Sequence, residues 1–391
     1  MINKSETNIM GEIRSFRFFS LTGLFFGFII YPIFSRLFEA STIIFILFFM
    51  LLLLIYMVVL KKKYSLILFI FPLVLLKIYY YFNLDPLTTS DEIDYYNYAL
   101  FFYNSNQIIH DLIAQFLLHS SIDIFAFVEP LIGFFYSSII SLSDSLDPKI
   151  VYIINFSVLL LAVGSYSQIN NNYKNVGIYI LGWAVFSPYL SYWGSHFFKD
   201  YISLFFIIYS LRFYIKKSYF LCLLFIIVAT GIRSYSIVIF AIYYLYWYRS
   251  IKLTLLCAII SFITSLFLYP GVLLKFVQVF CYFIFSPNPM KTENYDLIMG
   301  AQIIEAILIF FILFFGFIQK DSRKIVINTL CCLSIYASCI YMVDNRLTYS
   351  WGLSQDTITE NYHRKKIPVF PLLIFTSVYI LNRKKCEVIF K

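Results

Sequence analysis

The chain has 391 residues, of which 61% are hydrophobic and only 13% are charged, and its mean hydropathy is +0.81. Soluble domains carry about 25% charged residues, so the composition excludes an ordinary soluble protein and indicates a polytopic membrane protein. A net charge of +9 would suggest nucleic-acid binding in a soluble domain, but in a membrane protein its distribution over the loops reports topology. We therefore expect an all-α protein whose surroundings are a lipid bilayer, with no nucleic-acid partner.

The hydrophobic stretches, taken in chain order, predict about twelve membrane spans within a single polytopic domain, 1–391. No small-residue cleavage site follows the first stretch, so we expect a retained span and not a cleaved signal peptide. Some stretches are short, and those spans should tilt or thin the bilayer. The predicted spans are 18–35, 42–60, 64–82, 150–167, 176–194, 201–215, 218–232, 236–248, 253–270, 299–319, 325–343 and 367–382.

One further apolar segment, 126–142, decides the topology of everything after it. If it crossed as a thirteenth span, the basic residues of the later short loops would lie outside the cell. If it lies on the outer surface or re-enters, those residues fall in the cytoplasm, which the positive-inside rule favours. We therefore predict both termini in the cytoplasm and three long outer connections, at 83–149, 271–298 and 344–366.

The predicted cytoplasmic connections are all short, and none holds a glycine-rich phosphate loop. Chemistry is therefore expected on the outer face. Neither ATP nor a nucleotide-sugar is available there, so an activated substrate must arrive attached to a lipid. The four histidines and seven cysteines show no metal-ligand spacing, so neither a metal nor another cofactor is predicted.

The first long connection opens on the most acidic run of the chain, 88–96. Thr89 with Glu92 three residues later matches a capping box, so we predict that a helix begins here. Asp91 and Asp94 then share one face of its first turn, with Glu92 turned away on the helix surface. These acids either complement the positive end of the helix or form a functional site.

Charged side chains recur near the outer ends of other predicted spans, where they are costly to hold and are functional hypotheses by default. Lys199 could instead reach the interface with its ammonium group, and the basic run 364–366 could bind lipid headgroups. The stretch 106–118 has helical apolar spacing and predicts an amphipathic helix on the outer surface. The candidate substrate-binding residues are Glu92, Glu129, Lys199, Asp200, Arg233, Tyr235, Arg346, His363 and Arg364.

Acids on one loop with guanidinium and ammonium groups on others suit glycosyl transfer. A carboxylate can act as general base for attack of a sugar hydroxyl on an anomeric carbon. Arginine or lysine can hold a diphosphate leaving group, arginine through a bidentate fork. We expect Asp91 to be the catalytic base, with Asp94 as its rival, Arg233 to grip the diphosphate and Lys199 to supply a point charge.

Several short motifs between about residues 80 and 240 resemble those of a known group, the glycosyltransferases with the multi-spanning GT-C architecture. The acidic pair with its two tyrosines is similar to their first outer loop. The other motifs look like those of Wzy-type and EpsG-like polysaccharide polymerases. The residues that carry the resemblance are Asp91-Glu92, Tyr95-Tyr96, Glu129-Pro130-Leu131, Lys199-Asp200 and Arg233-Ser234-Tyr235.

The resemblance implies a polymerase of the bacterial inner membrane that joins undecaprenyl-diphosphate-linked oligosaccharide units, of O-antigen or capsule type, at the periplasmic face. It also implies a first-loop acid as base, basic residues on the diphosphate, and a chain-length regulator as a candidate partner. The chain departs from the O-antigen ligase-like pattern, which has a very large late periplasmic loop, because its last outer loop covers only 344–366.

Two other classes stay open at this point. A flippase or other transporter of lipid-linked oligosaccharide would carry charged residues in mid-span and an internal repeat, and neither is clear in the sequence. A membrane-bound O-acyltransferase would need a histidine buried among helices, for which His196 is the candidate.

Overall fold

A computed structural model describes eleven parts of the chain, which cover most of it from residue 66 onward. The predicted spans 18–35 and 42–60 lie outside them, as do His363 and Arg364. The described residues are 66–88, 90–105, 107–120, 128–143, 146–169, 176–197, 199–248, 250–268, 273–285, 297–351 and 365–382.

Every regular element in these parts is a helix, which confirms the all-α prediction for them. One turn of 3-10 helix, Pro148–Ile150, leads into the fifth α-helix. The α-helices are α1 Leu66–Asn83, α2 Ser90–Asn104, α3 Ile108–Ser120, α4 Val128–Ser143, α5 Val151–Ile169, α6 Gly177–Phe186, α7 Pro188–Trp193, α8 Lys199–Ile215, α9 Tyr219–Ile232, α10 Ser236–Tyr248, α11 Ile251–Leu268, α12 Leu273–Phe285, α13 Leu297–Ile318, α14 Arg323–Trp351 and α15 Phe370–Leu381.

Several helices are apolar enough for a membrane protein. Within the described residues, three stretches have the length and hydropathy to cross a bilayer, at 148–169, 299–318 and 323–342, and five shorter helices are apolar. The exposed face of α13 is a stripe of large apolar side chains at helical spacing, which only hydrocarbon would solvate favourably. That stripe includes Ile304, Leu308, Phe311 and Phe315. The number of twelve spans stays a prediction.

The segment predicted as one span at 176–194 is broken into α6 and α7. Ser187 has an extended backbone between them (φ −59°, ψ 119°), because the proline that follows disfavours the helical conformation of the preceding residue. Pro188 then occupies the first turn of α7, where its missing N–H costs nothing, and the Ser187 side chain caps the backbone N–H of Leu190. The break turns the chain toward the polar site described below.

Two helices occupy residues that were predicted as outer loops. α12 lies within 271–298 and packs against α14, where the centre of the Phe283 ring lies 5.1 Å from that of Tyr336. Its buried face carries Phe276, Val279 and Phe283. α14 itself continues past its predicted end into 344–366. The helix predicted at 106–118 is present as α3, which exposes Ile109 and other apolar side chains.

The acidic run leads into α2, which packs closely along α4. The contact depends on Gly133, because a methyl group there would lie 2.3 Å from the Tyr98 Cβ atom and 2.8 Å from the Tyr98 backbone. A glycine lets two helices approach at backbone distance. Phe197, in the connection between α7 and α8, packs against Tyr96 of α2 and Tyr136 of α4, which holds the start of α2 beside that connection.

Candidate functional site

Polar side chains from three separate chain segments meet at one end of the helices. Glu92 comes from the first turn of α2, His196 from the connection between α7 and α8, and Asp200 from the first turn of α8. Arg233 comes from the connection between α9 and α10. All four are buried. Buried charged groups need partners, and here the partners are each other.

The first pair joins Glu92 to His196. The Oε1 atom of Glu92 lies 3.2 Å from the Nδ1 atom of His196. The Glu92 side chain is 0% exposed and the His196 side chain is 4% exposed. The second oxygen, Oε2, accepts hydrogen bonds from the backbone N–H and the hydroxyl of Thr88, at 2.6 and 2.9 Å. The predicted helix start is confirmed, with Thr88 as the residue that Glu92 contacts; Thr89 lies outside the described residues.

The prediction that Glu92 faces away on the helix surface is wrong. The buried stripe of α2 runs through Glu92, Tyr95, Ala99 and Phe102, which are spaced by three or four residues and are at most 2% exposed. The apolar members of this stripe could have indicated the buried face from the sequence. Asp91 is half-buried at its edge and Asp94 is exposed.

The second pair joins Asp200 to Arg233 through two parallel hydrogen bonds. The guanidinium donates from Nε to Oδ1 at 2.9 Å and from Nη2 to Oδ2 at 2.7 Å. Burial lowers the pKa of the Arg233 guanidinium, but the Asp200 carboxylate beside it outweighs this effect, so the net shift is upward and the group stays charged. The bidentate fork expected to grip a substrate is therefore engaged within the protein.

Tyr136 and Asn155 support the backbone beside the first pair. Tyr136 donates to the Oδ1 atom of Asn155 at 3.1 Å, and Asn155 donates to the carbonyls of Gly194 and His196 at 3.0 and 2.8 Å. Burial raises the pKa of the Tyr136 phenol, its hydrogen bond to Asn155 lowers it, and nearby acids including Glu92 raise it further. Asn155 thus holds the backbone that carries His196. Sequence reasoning missed it, although an amide inside an apolar stretch was a signal.

The remaining predicted residues are distributed around these pairs. Lys199 is half-buried, with its Nζ atom 5.7 Å from the centre of the Tyr95 ring, and Tyr235 packs under the Arg233 guanidinium at 5.5 Å. Glu129 and Arg346 lie in α4 and α14, but their side chains lie outside the described residues, as do His363 and Arg364.

A buried carboxylate that sequence reasoning missed lies in α13. Glu305 accepts hydrogen bonds from Trp183 Nε1 (2.9 Å), Ser187 Oγ (2.9 Å) and the backbone N–H of Tyr189 (3.0 Å), and so ties α13 to the broken helix. An acid within so apolar a helix was visible in the sequence and marks a costly, partnered group.

Lys366 lies on the other side of the broken helix. Its ammonium lies over the Tyr189 and Phe370 rings, at 5.0 and 4.9 Å from their centres, and the residue is 0% exposed. Burial lowers the pKa of Lys366 to about 7, against an opposing effect of the Glu305 carboxylate. For Lys366, the alternative of a headgroup-binding run at 364–366 is wrong, because headgroups cannot reach a fully buried ammonium.

The described residues contain no group of three histidine, cysteine or acidic side chains placed to hold a metal ion. The chemistry that the site offers is that of carboxylates, an imidazole, phenols and cations. Comparisons with protein-family models, with curated proteins and with solved structures found no match to this chain.

Proposed function

We propose that this protein is a glycosyltransferase that polymerises undecaprenyl-diphosphate-linked oligosaccharide units at the outer face of the bacterial inner membrane. One observation carries the proposal: Glu92 of the first long connection meets His196 of a later one, and the nearby Asp200 meets Arg233 of a third. The predicted topology puts all three connections outside the cell. Lipid-linked sugars are the activated donors that would be available on that side.

The catalytic base in this proposal is Asp91. It lies one residue before the buried Glu92 but is only half-buried, so a sugar hydroxyl can reach it. A carboxylate in such a place can accept the proton of an attacking hydroxyl. The exposed Asp94, one turn further along α2, is the rival for this role.

The substrate's diphosphate is assigned to cations on other connections. Lys199 supplies one positive charge beside the acids, and Arg346, His363 and Arg364 of the last connection supply others. Arg233 uses one N–H each of Nε and Nη2 on Asp200, and no described residue accepts from its Nη1 atom, which leaves the two N–H groups of Nη1 for a ligand. Glu129, Asp200 and Tyr235 complete the proposed binding residues, and a chain-length regulator is the proposed protein partner.

The test uses a strain from which the gene is deleted. We expect the polysaccharide ladder to be lost while single lipid-linked repeat units persist on the outer leaflet. Complementation with the intact gene should restore the ladder. Units retained on the inner leaflet would refute a polymerase and indicate transport.

A transporter of the same lipid-linked units is the second candidate, and two buried charges favour it. Lys77 lies inside α1 and Glu305 inside α13, both helices that are otherwise strongly apolar. At 1.5 Å per residue, however, they lie only about 9 and 12 Å from the helix ends nearest the site. Transporter sites lie near the bilayer midplane, so this placement agrees better with chemistry at one rim.

O-acyl transfer is favoured by a separate observation, the burial of His196 among helices beside an acid. An imidazole in that state can accept a proton from a hydroxyl. Measurement of O-acyl groups on the polysaccharide of the deletion strain separates this candidate, since a polymerase would leave the acyl content of each repeat unit unchanged.

A further inference from the structure

Lys77 differs from the other buried cations because no acid accompanies it. It projects from the apolar helix α1, is 8% exposed, and has its Nζ atom 4.2 Å from the centre of the Phe156 ring. Among the described residues, no carboxylate lies within ion-pairing distance of it. The three buried acids of this region are held elsewhere: Glu92 by Thr88 and His196, Asp200 by Arg233, and Glu305 by Trp183, Ser187 and Tyr189.

The ammonium of Lys77 borders a cavity of about 20 Å³, which has room for about one water-sized atom. Gly194 forms part of the wall, and a methyl group there would come within 2.8 Å of the Leu190 carbonyl oxygen and 3.6 Å of the Tyr201 hydroxyl. Glycine therefore keeps this small space open. The opposite wall is aromatic, from Tyr152 and Phe156 of α5.

The side chains that line the cavity beside Lys77 carry no negative charge. Tyr201 already donates to the Leu190 carbonyl at 2.8 Å, and Ser191 donates to the Ser187 carbonyl at 2.6 Å. The buried hydroxyl of Tyr152 lies beside Ser195 but makes no well-aligned hydrogen bond with any described residue. The hydroxyl oxygens of Tyr201 and Ser191 can still accept hydrogen bonds, but they are neutral. Lys77 thus presents a positive charge to a space that no anionic side chain lines, and a buried charge without a counter-charge is costly.

From this mismatch we infer that Lys77 and Tyr152 form a binding site for one anionic oxygen of a phosphate group. An ammonium and a phenol both donate to such an oxygen, and a charge-assisted hydrogen bond of this kind is among the strong ones. The inference rests on the proposed function for the identity of the molecule, a lipid-linked diphosphate. A phospholipid headgroup would offer the same oxygen, and the experiment separates the two.

Binding is measured on purified protein in alkyl maltoside micelles, which contain no phosphate, with undecaprenyl diphosphate, phosphatidylglycerol and inorganic phosphate as separate probes. Lys77→Met keeps the length of the side chain without its charge, and we expect it to weaken undecaprenyl diphosphate binding about tenfold or more. Tyr152→Phe should weaken it by a smaller factor. Lys149→Met is the matched control, because Lys149 has its own acceptor, the Tyr81 carbonyl at 2.8 Å.

Protein stability tells a binding lysine from a structural one. Because Lys77 has no acidic partner, Lys77→Met should leave the melting temperature of the ligand-free protein unchanged or raise it. If Lys77→Met fails to fold, the lysine is structural; that result would overturn the inference, and so would unchanged binding of every phosphate-bearing probe by both Lys77→Met and Tyr152→Phe.

The two proposals fail in different ways. If the variants bind all probes like the wild type while cells still make polymer, the Lys77 site is refuted and the glycosyltransferase stands. If Lys77→Met weakens only phosphatidylglycerol binding, the phosphate site stands and takes a headgroup, and the polymerase loses its substrate contact there.

Discussion

Two buried cations on either side of the connection between α7 and α8 have opposite surroundings. Arg233 closes a bidentate fork on Asp200, whereas Lys77 faces a small cavity without an acid. Burial of a charged side chain alone would mark both positions as candidate functional sites. The difference shows that a buried charge with a complete partner fixes the structure, while a buried charge without one is available to a ligand.

The largest expected effect follows from breaking the complete pair. Arg233→Ala leaves the Asp200 carboxylate buried without a partner, which costs about 3–5 kcal/mol of stability. Arg233→Lys should be nearly as damaging, because an ammonium cannot reproduce both parallel hydrogen bonds. Unfolding of the purified protein by heat or denaturant measures the loss.

The double variant Asp200→Asn with Arg233→Met is the control for this pair. It removes both charges together, so it should recover much of the stability that Arg233→Ala loses. If the Arg233→Ala protein is as stable as the wild type but no longer forms polymer, the Arg233 guanidinium acts on the substrate. Our distinction between the two cations would then be wrong.

The same distinction applies to two neighbouring acids, the half-buried Asp91 and the buried Glu92. Asp91→Asn keeps the shape and removes the basicity, so polymer formation should fall about 10²-fold or more with normal folding. Glu92→Gln should instead lower the melting temperature, because it alters the contacts with His196 and Thr88. Gel ladders and melting temperatures of both variants measure the two effects.

Asp85→Asn is the matched control for these acids, since Asp85 lies exposed in the same connection and only caps a local turn through Leu87. It should change neither polymer nor stability. Near-normal polymer from well-folded Asp91→Asn protein would transfer the proposed base to Asp94 or end the proposal.

The sequence predicted the class of fold and the regions of the site better than it predicted individual contacts. The helical class, the helix start near Thr88 and the candidacy of Asp200 and Arg233 followed from apolar stretches and costly charges, whereas the burial of Glu92 against His196 did not. The break before Pro188 was also readable, because a residue before proline avoids the helical conformation.

The contacts that were missed depend on packing between distant segments. Asn155 holds the His196 backbone, and Glu305 caps the broken helix, across large sequence separations that local patterns do not encode. The same holds for Lys366, which belongs to a basic run and yet is buried under two aromatic rings. Composition and spacing indicate that such groups are costly, but not which partner satisfies them.

Lys199 adds a third case to the comparison of Arg233 with Lys77. It is half-buried, and its ammonium cannot form the bidentate hydrogen bond that a guanidinium forms. If it supplies only a point charge to the diphosphate, Lys199→Arg should keep most of the polymer formation. Lys199→Met should lower it about tenfold, the scale of one charge-assisted hydrogen bond. Lys149→Met, a basic residue with its own backbone acceptor, should have no effect on the ladder. Equal loss in the arginine and methionine variants would mean that shape and not charge matters at 199.

The smallest effect concerns Lys366 and the pH dependence of stability. The unfolded chain holds the lysine proton up to the ordinary pKa of 10.5, whereas burial lowers the pKa in the folded protein to about 7. Between these two values the unfolded state binds more protons, so the free energy of unfolding rises with pH. From pH 7 to 8.5 this contribution is about 1–2 kcal/mol. Below pH 7 both states hold the proton, and the contribution stays flat.

Melting temperatures of the wild type and of Lys366→Met, measured from pH 6 to 9, test this linkage. The wild type should gain stability above about pH 7, and Lys366→Met should lose that gain. Glu305→Gln removes the acid that opposes the effect of burial, so the rise should begin at a lower pH in that variant. An identical pH profile in the wild type and Lys366→Met would show that the Glu305 carboxylate balances the ammonium fully. Lys366 would then belong with Arg233 as a partnered cation and not with Lys77.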